Sequence, residues 1–244
     1  MQGSVSNVEL LERCKSEMDQ SGVMHHRFLT RFEERMLSRE ELSAFMIQWY
    51  KTATAHRRAF PGLIGNIKDD EIRFELIEIL YEEYGNGDRT RIHGKLLARL
   101  LRALDLTLDH VVAVKALPAV SQFNVAISDI WFNGEHSFAF GLHFGLEYLA
   151  SSQQAYCARG MRKYRFLSEE DREYFDLHAE AEIRHVAYSE NGFLHYAEDE
   201  EQREKLVAGV REAIALLRAL WDEFDGLLFS SVVAAEPLTL VSSC

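Results

Sequence analysis

The sequence predicts an all-α protein, and three observations support this prediction. Only three prolines occur in 244 residues, so long stretches of chain are free to be helical. Helical signals recur throughout, and apolar residues follow helical spacing in most segments. Ser38 with Glu41 forms a capping-box pattern, and Ser168 with Asp171 forms a looser version of it.

Breaks in these signals divide the chain into ten predicted helices. The breaks fall at Pro61–Asn66, Gly85–Arg89, Pro118 and Gly160–Arg165. Residues 111–114 have a strand-like composition, but the run is short and lies between helical patterns, so we interpret it as helix. The predicted helices cover residues 7–20, 23–37, 39–59, 69–84, 91–105, 107–117, 119–132, 135–160, 168–197 and 200–229.

Composition limits the domain organisation and the classes of partner. No composition shift or linker divides the chain, so we expect a single domain over residues 1–236 and a short tail over 237–244. The formal net charge is −12, and no run is rich in lysine or arginine, which argues against nucleic acid and anionic membranes as partners. No apolar run reaches membrane-spanning length. Three scattered cysteines favour a reducing, cytoplasmic setting: Cys14, Cys157 and Cys244.

The most informative stretch lies in the ninth predicted helix. His178, Glu182 and His185 are at positions i, i+4 and i+7, which places them within about 60° of one another on one helix face. Phe175 shares this stripe, so the face should point to the interior. A buried carboxylate beside imidazoles is costly unless something pairs with it, and a bound cation is the simplest partner.

Further candidate ligands occur on other apolar stripes. Glu147, His93 and Glu83 each continue such a stripe, whereas Glu82 aligns with a charged face that we expect to be solvated, so periodicity favours Glu83 over Glu82 as a ligand. Helix ends fray, and this preference leaves Glu82 open. Imidazole with carboxylate and no thiolate suits iron or manganese better than structural zinc. The candidate metal ligands are Glu83, His93, Glu147, His178, Glu182 and His185.

These motifs resemble those of a known family. The stretch from Tyr81 to Asp88 followed by His93, then Glu147 and the closing His178/Glu182/His185 motif, is similar to the heme-oxygenase-like dimetal oxidases and oxygenases. That family is related to helical proteins of the thiaminase and pyrroloquinoline-quinone-synthase types. The resemblance covers about residues 20 to 225 and departs from the family where Glu182 replaces a frequent aspartate. It implies a heme-oxygenase-like helical bundle.

The resemblance also implies a cofactor. Two iron ions, cycling between Fe2+ and Fe3+, would use O2 as the oxidant. One ion would be held by Glu83, His93 and a shared carboxylate. The other would be held by His178 and His185 with the remaining carboxylates, and either Glu147 or Glu182 would bridge the pair.

The implied function is oxidation of a small carboxylate-bearing metabolite, an amino acid or a fatty acid, with an amino acid favoured. Bond cleavage, desaturation, N-oxygenation and nitrile formation are the expected reaction types, an external reductant can take part, and homodimers are common in the fold. Trp131, Phe140, Phe144 and Tyr148 are the expected pocket walls. The candidate cations for a substrate carboxylate are Lys51, Arg57, Arg58, Arg162 and Lys163.

Three alternatives remain at the level of sequence. The first is a metal-independent enzyme on the same fold, of the thiaminase or quinone-synthase type. The second is a non-enzymatic interaction protein. The third is heme ligation by His25 or His26 on the first helices, which would leave the six candidate ligands unexplained.

Overall fold

A computed structural model describes residues 6–229, apart from the side chains of residues 180–183. This part of the chain forms ten α-helices and no strand, which confirms the all-α prediction. The predicted tail, residues 237–244, lies outside the described residues. The helices are α1 (Asn7–Gln20), α2 (Arg27–Glu34), α3 (Arg39–Asn66), α4 (Asp70–Glu83), α5 (His93–Ala103), α6 (Leu108–Ala113), α7 (Pro118–Asn133), α8 (His136–Met161), α9 (Glu169–Tyr196) and α10 (Glu200–Phe229).

Both predicted capping boxes are present. The Ser38 hydroxyl accepts from the Glu41 amide at 3.2 Å, and Ser168 does the same for the Asp171 amide at 3.1 Å. In each case the acidic side chain accepts in return from the serine backbone amide. These two caps fix the first residues of α3 and α9.

Helix α3 differs from its prediction, because it continues through Pro61 to Asn66 instead of ending at residue 59. Proline cannot donate to the carbonyl of Arg57, one turn earlier, and an interior proline costs roughly 3 kcal/mol in an isolated helix. Here Phe60 and Leu63 are buried on either side of it, while Pro61 itself is exposed. Tertiary packing therefore overrides the local signal.

Two further helices are shorter than predicted. Helix α2 begins after His26, whose ring accepts from the Phe28 amide at 3.2 Å, and ends at Glu34 instead of residue 37. Helix α6 includes the strand-like run as far as Ala113 but not residues 114–117. The helical interpretation of that run is confirmed.

Close contact between α8 and α10 holds the centre of the bundle. A Cβ atom at Gly141 of α8 would collide with the Leu206 carbonyl oxygen, and one at Gly209 of α10 would collide with the Phe138 carbonyl oxygen. The two backbones therefore touch, as only glycine permits. This contact fixes the level of Glu147, six residues after Gly141 on the same helix.

Within the described residues, no helix combines the length and apolar character needed to cross a membrane.

Candidate metal centre

Four helices converge on one buried point. Glu83 ends α4, His93 begins α5, Glu147 lies in the middle of α8, and His178 and His185 lie two turns apart on α9. The loop between α4 and α5 turns through Gly85 and Gly87 at φ values of 85° and 88°, where glycine is strongly favoured. This tight turn returns the chain so that His93 packs against Glu83.

Glu83, His93 and His178 form the first cluster. Oε1 of Glu83 lies 2.9 Å from Nδ1 of His93 and 3.3 Å from Nε2 of His178. One potential ligand atom from each of the three residues lies within 4.8 Å of the others, and the two imidazole centroids are 4.6 Å apart. A single cation can therefore contact all three side chains.

The orientation of His178 is set by the backbone. Its Nδ1–H donates to the Tyr174 carbonyl oxygen at 2.7 Å, so in the neutral ring the lone pair is on Nε2 and faces Glu83. A lone pair facing a carboxylate is repulsive unless a proton or a metal cation lies between them. Histidines that bind metals commonly have this arrangement, with the second nitrogen donating to a carbonyl.

His93 shows a related feature. Its Nδ1 is buried and close to Glu83, yet the contact lacks the geometry of a hydrogen bond, so this nitrogen has no hydrogen-bond partner among the described residues. A buried polar atom without such a partner is unusual in a native protein and calls for an explanation. A bound cation would satisfy it.

His185, Glu82 and Glu147 form the second cluster. Nε2 of His185 lies 3.3 Å from Oε2 of Glu82, and its Nδ1 lies 3.3 Å from Oε2 of Glu147. A neutral imidazole has one N–H, so one of these carboxylates faces a lone pair. The donor set is again imidazole and carboxylate, which suits iron.

The placement of Glu82 corrects the sequence analysis. Glu82 was assigned to a solvated face, but it is 8% exposed and contacts His185. The last turn of α4 lies under α9, which covers both Glu82 and Glu83. Arg184 of α9 donates to Glu82, although more than half of the Arg184 side chain is exposed.

The pairing of the ligands also differs from the one implied by the resemblance. His178 lies with Glu83 and His93, and not with His185. The side chain of Glu182 lies outside the described ones, although its backbone is part of α9. Five of the six predicted ligands therefore converge in the described part of the centre.

All three described carboxylates are held in the ionised form. Burial alone would raise the pKa of Glu83, but His178 and His93 lower it well below its ordinary value. Burial would likewise raise the pKa of Glu147, and His185 and its neighbours lower it to about 2. His185 and then Arg184 lower the pKa of Glu82. Burial lowers the pKa of His93, which favours its neutral form.

His143 of α8 lies next to Glu147 of the second cluster. The His143 side chain is fully buried. Its Nε2 lies 3.1 Å from the Ser189 hydroxyl oxygen, and that hydroxyl donates to the His185 carbonyl oxygen at 2.8 Å. Nδ1 of His143 lies 3.5 Å from Glu147, and no other side chain that the structure describes gives it a hydrogen bond. Burial lowers the pKa of His143 to about 4. The i, i+4 spacing to Glu147 was the available sequence signal.

A cavity of about 110 Å³ adjoins both clusters. It lies between α3 and α8 and is bordered by α10. Four residues of the two clusters line its wall: Glu83, Glu147, His178 and His185. A small molecule in this cavity would contact the metal centre directly. Other lining residues include Trp49, His56, Arg57, Gln153, Gln154 and Trp221.

The four expected pocket walls are not among the described residues that line this cavity. Trp131 packs edge-to-face on His56, Phe140 lies against Tyr196, and Phe144 lies against Phe193. The Tyr148 hydroxyl donates to Asp19 at 3.1 Å. Helix α8 is buried on nearly every side, so its apolar stripe could not indicate which face borders the cavity.

Arg57 alone among the five candidate cations lines the cavity in the described part of the chain. Arg162 pairs with Asp176, and Lys163 donates to the backbone oxygens of Phe32 and Arg35.

The two histidines considered for heme are engaged elsewhere. His25 is exposed, and its ring contacts the Tyr156 hydroxyl at 3.2 Å. Nδ1 of His26 accepts from the Phe28 amide, and its Nε2 lies 3.2 Å from Asp222. Neither ring nitrogen of His26 is therefore free to bind an iron.

Comparison with known proteins agrees with this geometry. A family model described as iron-containing redox enzyme matches residues 43–218. A protein of Chlamydia pneumoniae named 4-aminobenzoate synthase is 25% identical over 238 residues, covering 94% of this chain and 96% of that protein.

Two solved structures show the same fold at low sequence identity. One is a TenA homolog from Pseudomonas syringae, with a TM-score of 0.71, 11% identity and coverage of 88% of this chain and 92% of that chain. The other is a domain with a heme oxygenase-like fold from Shewanella denitrificans, with a TM-score of 0.65, 16% identity and coverage of 94% and 98%. The expected heme-oxygenase-like fold is confirmed.

Proposed function

This chain belongs to the family of iron-containing redox enzymes, and we propose that it is an O2-dependent non-heme diiron oxidase or oxygenase. The observation that carries the proposal is the pair of buried carboxylate–imidazole clusters on the wall of one cavity. We further propose that its substrate is a small carboxylate-bearing metabolite. The name of the Chlamydia pneumoniae relative, 4-aminobenzoate synthase, supports a substrate or product of that class.

The residues would divide between the ions by cluster. Glu83, His93 and His178 would hold one ion, and His185 with Glu147 would hold the other. Glu82 is placed to act as a further ligand of the second ion, and Glu182 remains a predicted ligand from its position on α9. The ionised carboxylates would neutralise the charge of the ions, as buried cations require.

The bound ions would supply reducing equivalents to O2 and so an oxidant for the substrate. The residues of the chain would fix the ions, orient the substrate and limit access of water. The Tyr174 carbonyl orients His178, and the walls formed by Trp49, Leu220 and Trp221 are apolar. A largely apolar enclosure lowers the local dielectric, which strengthens the electrostatic interactions within it.

Iron binding and O2 consumption test this proposal. Protein loaded anaerobically with Fe2+ should retain close to two iron ions per chain, and the loaded protein should consume O2 faster when its substrate is added from a panel of amino acids, aromatic acids and fatty acids. His178→Ala should lose iron and activity, whereas His25→Ala, which alters an exposed histidine, should keep both. Activity that persists in the metal-free protein would instead support a metal-independent enzyme, and wild-type protein that retains no iron would contradict the proposal.

A further inference from the structure

Arg57 provides a positive charge at the metal end of the cavity. Among the described residues it is the only lysine or arginine on the cavity wall, and it makes no ion pair with a described carboxylate. Its guanidinium packs directly against Gly94, the residue after His93, where a Cβ atom would collide with it. The guanidinium therefore lies beside the first cluster, next to the N-terminus of α5.

Two buried amides lie farther along the cavity. Gln153 and Gln154 of α8 are 3% and 7% exposed, and both line the cavity. Nε2 of Gln153 and Oε1 of Gln154 have no hydrogen-bond partner in the described part of the protein. A buried donor and a buried acceptor on the wall of the same cavity together match a hydroxyl group, which accepts one hydrogen bond and donates another.

The distance from the metal centre to the two amides limits the length of a ligand. Gln153 is six residues after Glu147 on α8, so it lies roughly 9 Å along the helix axis from the glutamate of the second cluster. Trp49 and Trp221, with rings stacked at 5.6 Å, form part of the apolar wall. A molecule that meets both ends therefore needs an apolar middle about as long as one ring.

The cavity volume limits the ligand as well. At about 110 Å³ it is of the same order as the cavity of roughly 150 Å³ that takes up benzene in an engineered protein. This volume favours a compact acid over a long-chain fatty acid.

We propose that Arg57 binds the substrate carboxylate beside the first cluster, and that Gln153 and Gln154 bind a hydroxyl or amino group at the opposite end of a ring-sized substrate. The substrate class is thus a compact carboxylic acid with a hydrogen-bonding group opposite the carboxylate. This inference rests on the proposed function for its catalytic meaning. Its binding step is testable without catalysis.

Calorimetric titration with three probes tests the inference. The probes are 4-hydroxybenzoate, its uncharged amide 4-hydroxybenzamide, and benzoate, each added to metal-free and to anaerobic Fe2+-loaded protein. Wild-type protein should bind 4-hydroxybenzoate at least about tenfold more tightly than the amide and several-fold more tightly than benzoate, because charged and neutral hydrogen bonds contribute to that extent.

Variants assign the two preferences to the named residues. Arg57→Gln should lose the preference for the acid over the amide, Arg57→Lys should keep part of it, and Arg58→Gln, an exposed neighbour on α3, should keep all of it. Gln154→Leu should lose the preference for 4-hydroxybenzoate over benzoate and keep the preference for the acid over the amide. If Arg57→Lys keeps part of the preference for the acid, the loss of that preference in Arg57→Gln reflects the missing charge and not misfolding.

The outcomes separate this inference from the proposed function. Equal binding of acid and amide by wild-type protein, an unchanged preference in Arg57→Gln, or no binding of any probe would overturn the inference even if two irons bind. The expected preferences in a protein that retains no iron would uphold the carboxylate site and refute the diiron function.

Discussion

The first and second clusters use the same side-chain types but hold them in different ways. In the first, Glu83 contacts two imidazoles, and the backbone carbonyl of Tyr174 orients one of them. In the second, His185 lies between two carboxylates, and each carboxylate has a further contact: Glu82 with Arg184 and Glu147 with His143. The first cluster is therefore arranged for a cation, whereas the second is held by contacts that a cation would have to replace.

Because the two clusters differ in this way, we expect the two ions to bind with unequal affinity. A metal ion binds more tightly to ligands that are already arranged for it than to ligands whose ion pairs must first be broken, because breaking those pairs costs free energy. We expect the first cluster to fill first in a titration with Fe2+. The following predictions test that order, beginning with the largest expected effect.

The largest effect is expected from Glu83→Gln, which removes the carboxylate that joins both imidazoles of the first cluster. Loss of a residue that only supports a metal ligand costs about 10- to 100-fold in affinity, so loss of the shared ligand should cost more than about 100-fold at this site. Anaerobic calorimetry with Fe2+ measures it. Glu71→Gln, on the exposed face of α4, is the matched control, and an unaltered tight site in Glu83→Gln would show that the first cluster is not the preferred site.

A smaller and more local effect is expected from Glu82→Gln. Glu82 contacts only the second cluster, so the tight step should persist while the weak step loses about 10- to 100-fold in affinity. The same calorimetric titration resolves the two steps. If Glu82→Gln abolished the tight step and Glu83→Gln did not, the assignment of the two adjacent glutamates would be reversed.

The stability of the metal-free protein should depend on pH through the buried imidazole beside the second cluster. Burial lowers the pKa of His143 from 6.5 to about 4, so the unfolded chain takes up a proton more readily than the folded one. The contribution of neutral His143 to the free energy of unfolding is therefore fully present above about pH 6.5 and is lost as the pH falls toward 4. Between pH 7.5 and pH 5 this group alone should cost about 2 kcal/mol of unfolding free energy.

Urea unfolding at the two pH values measures this dependence. His143→Gln should lower the loss between pH 7.5 and pH 5 by about that amount, whereas His110→Gln, at an exposed position of α6, should leave it unchanged. An identical loss in His143→Gln and the unmodified protein would mean that His143 is not held in its neutral form.

Much of the fold and most of the ligand positions could be predicted from sequence because they follow helical periodicity. His178 and His185 share a stripe with Phe175, and the structure buries all three. What periodicity could not supply were contacts between helices. Glu82 lies on the charged face of α4 by its spacing, and only the cover provided by α9 buries it.

Periodicity also could not predict which residues line the cavity. Helix α8 is buried on nearly every face, so Phe140 and Glu147 are both buried. Of these two residues, Glu147 lines the cavity and Phe140 does not. Arg57 could not be chosen among five cations, because its selection depends on the approach of Gly94 from α5. Such long-range contacts have no signal in a single sequence.

The smallest effect is expected from Arg184→Gln, and it addresses the comparison most directly. Arg184 pairs with Glu82 but is 56% exposed in its side chain, and exposed ion pairs contribute only about 0–1 kcal/mol. If this pair competes with the second ion, its removal should strengthen the weak step by at most about fivefold and leave the tight step unchanged. Arg159→Gln, which breaks the surface pair with Glu33, is the control for a general change in charge. A weaker second step in Arg184→Gln would mean that Arg184 positions Glu82 for the ion, and the second cluster would then be as well arranged for a cation as the first.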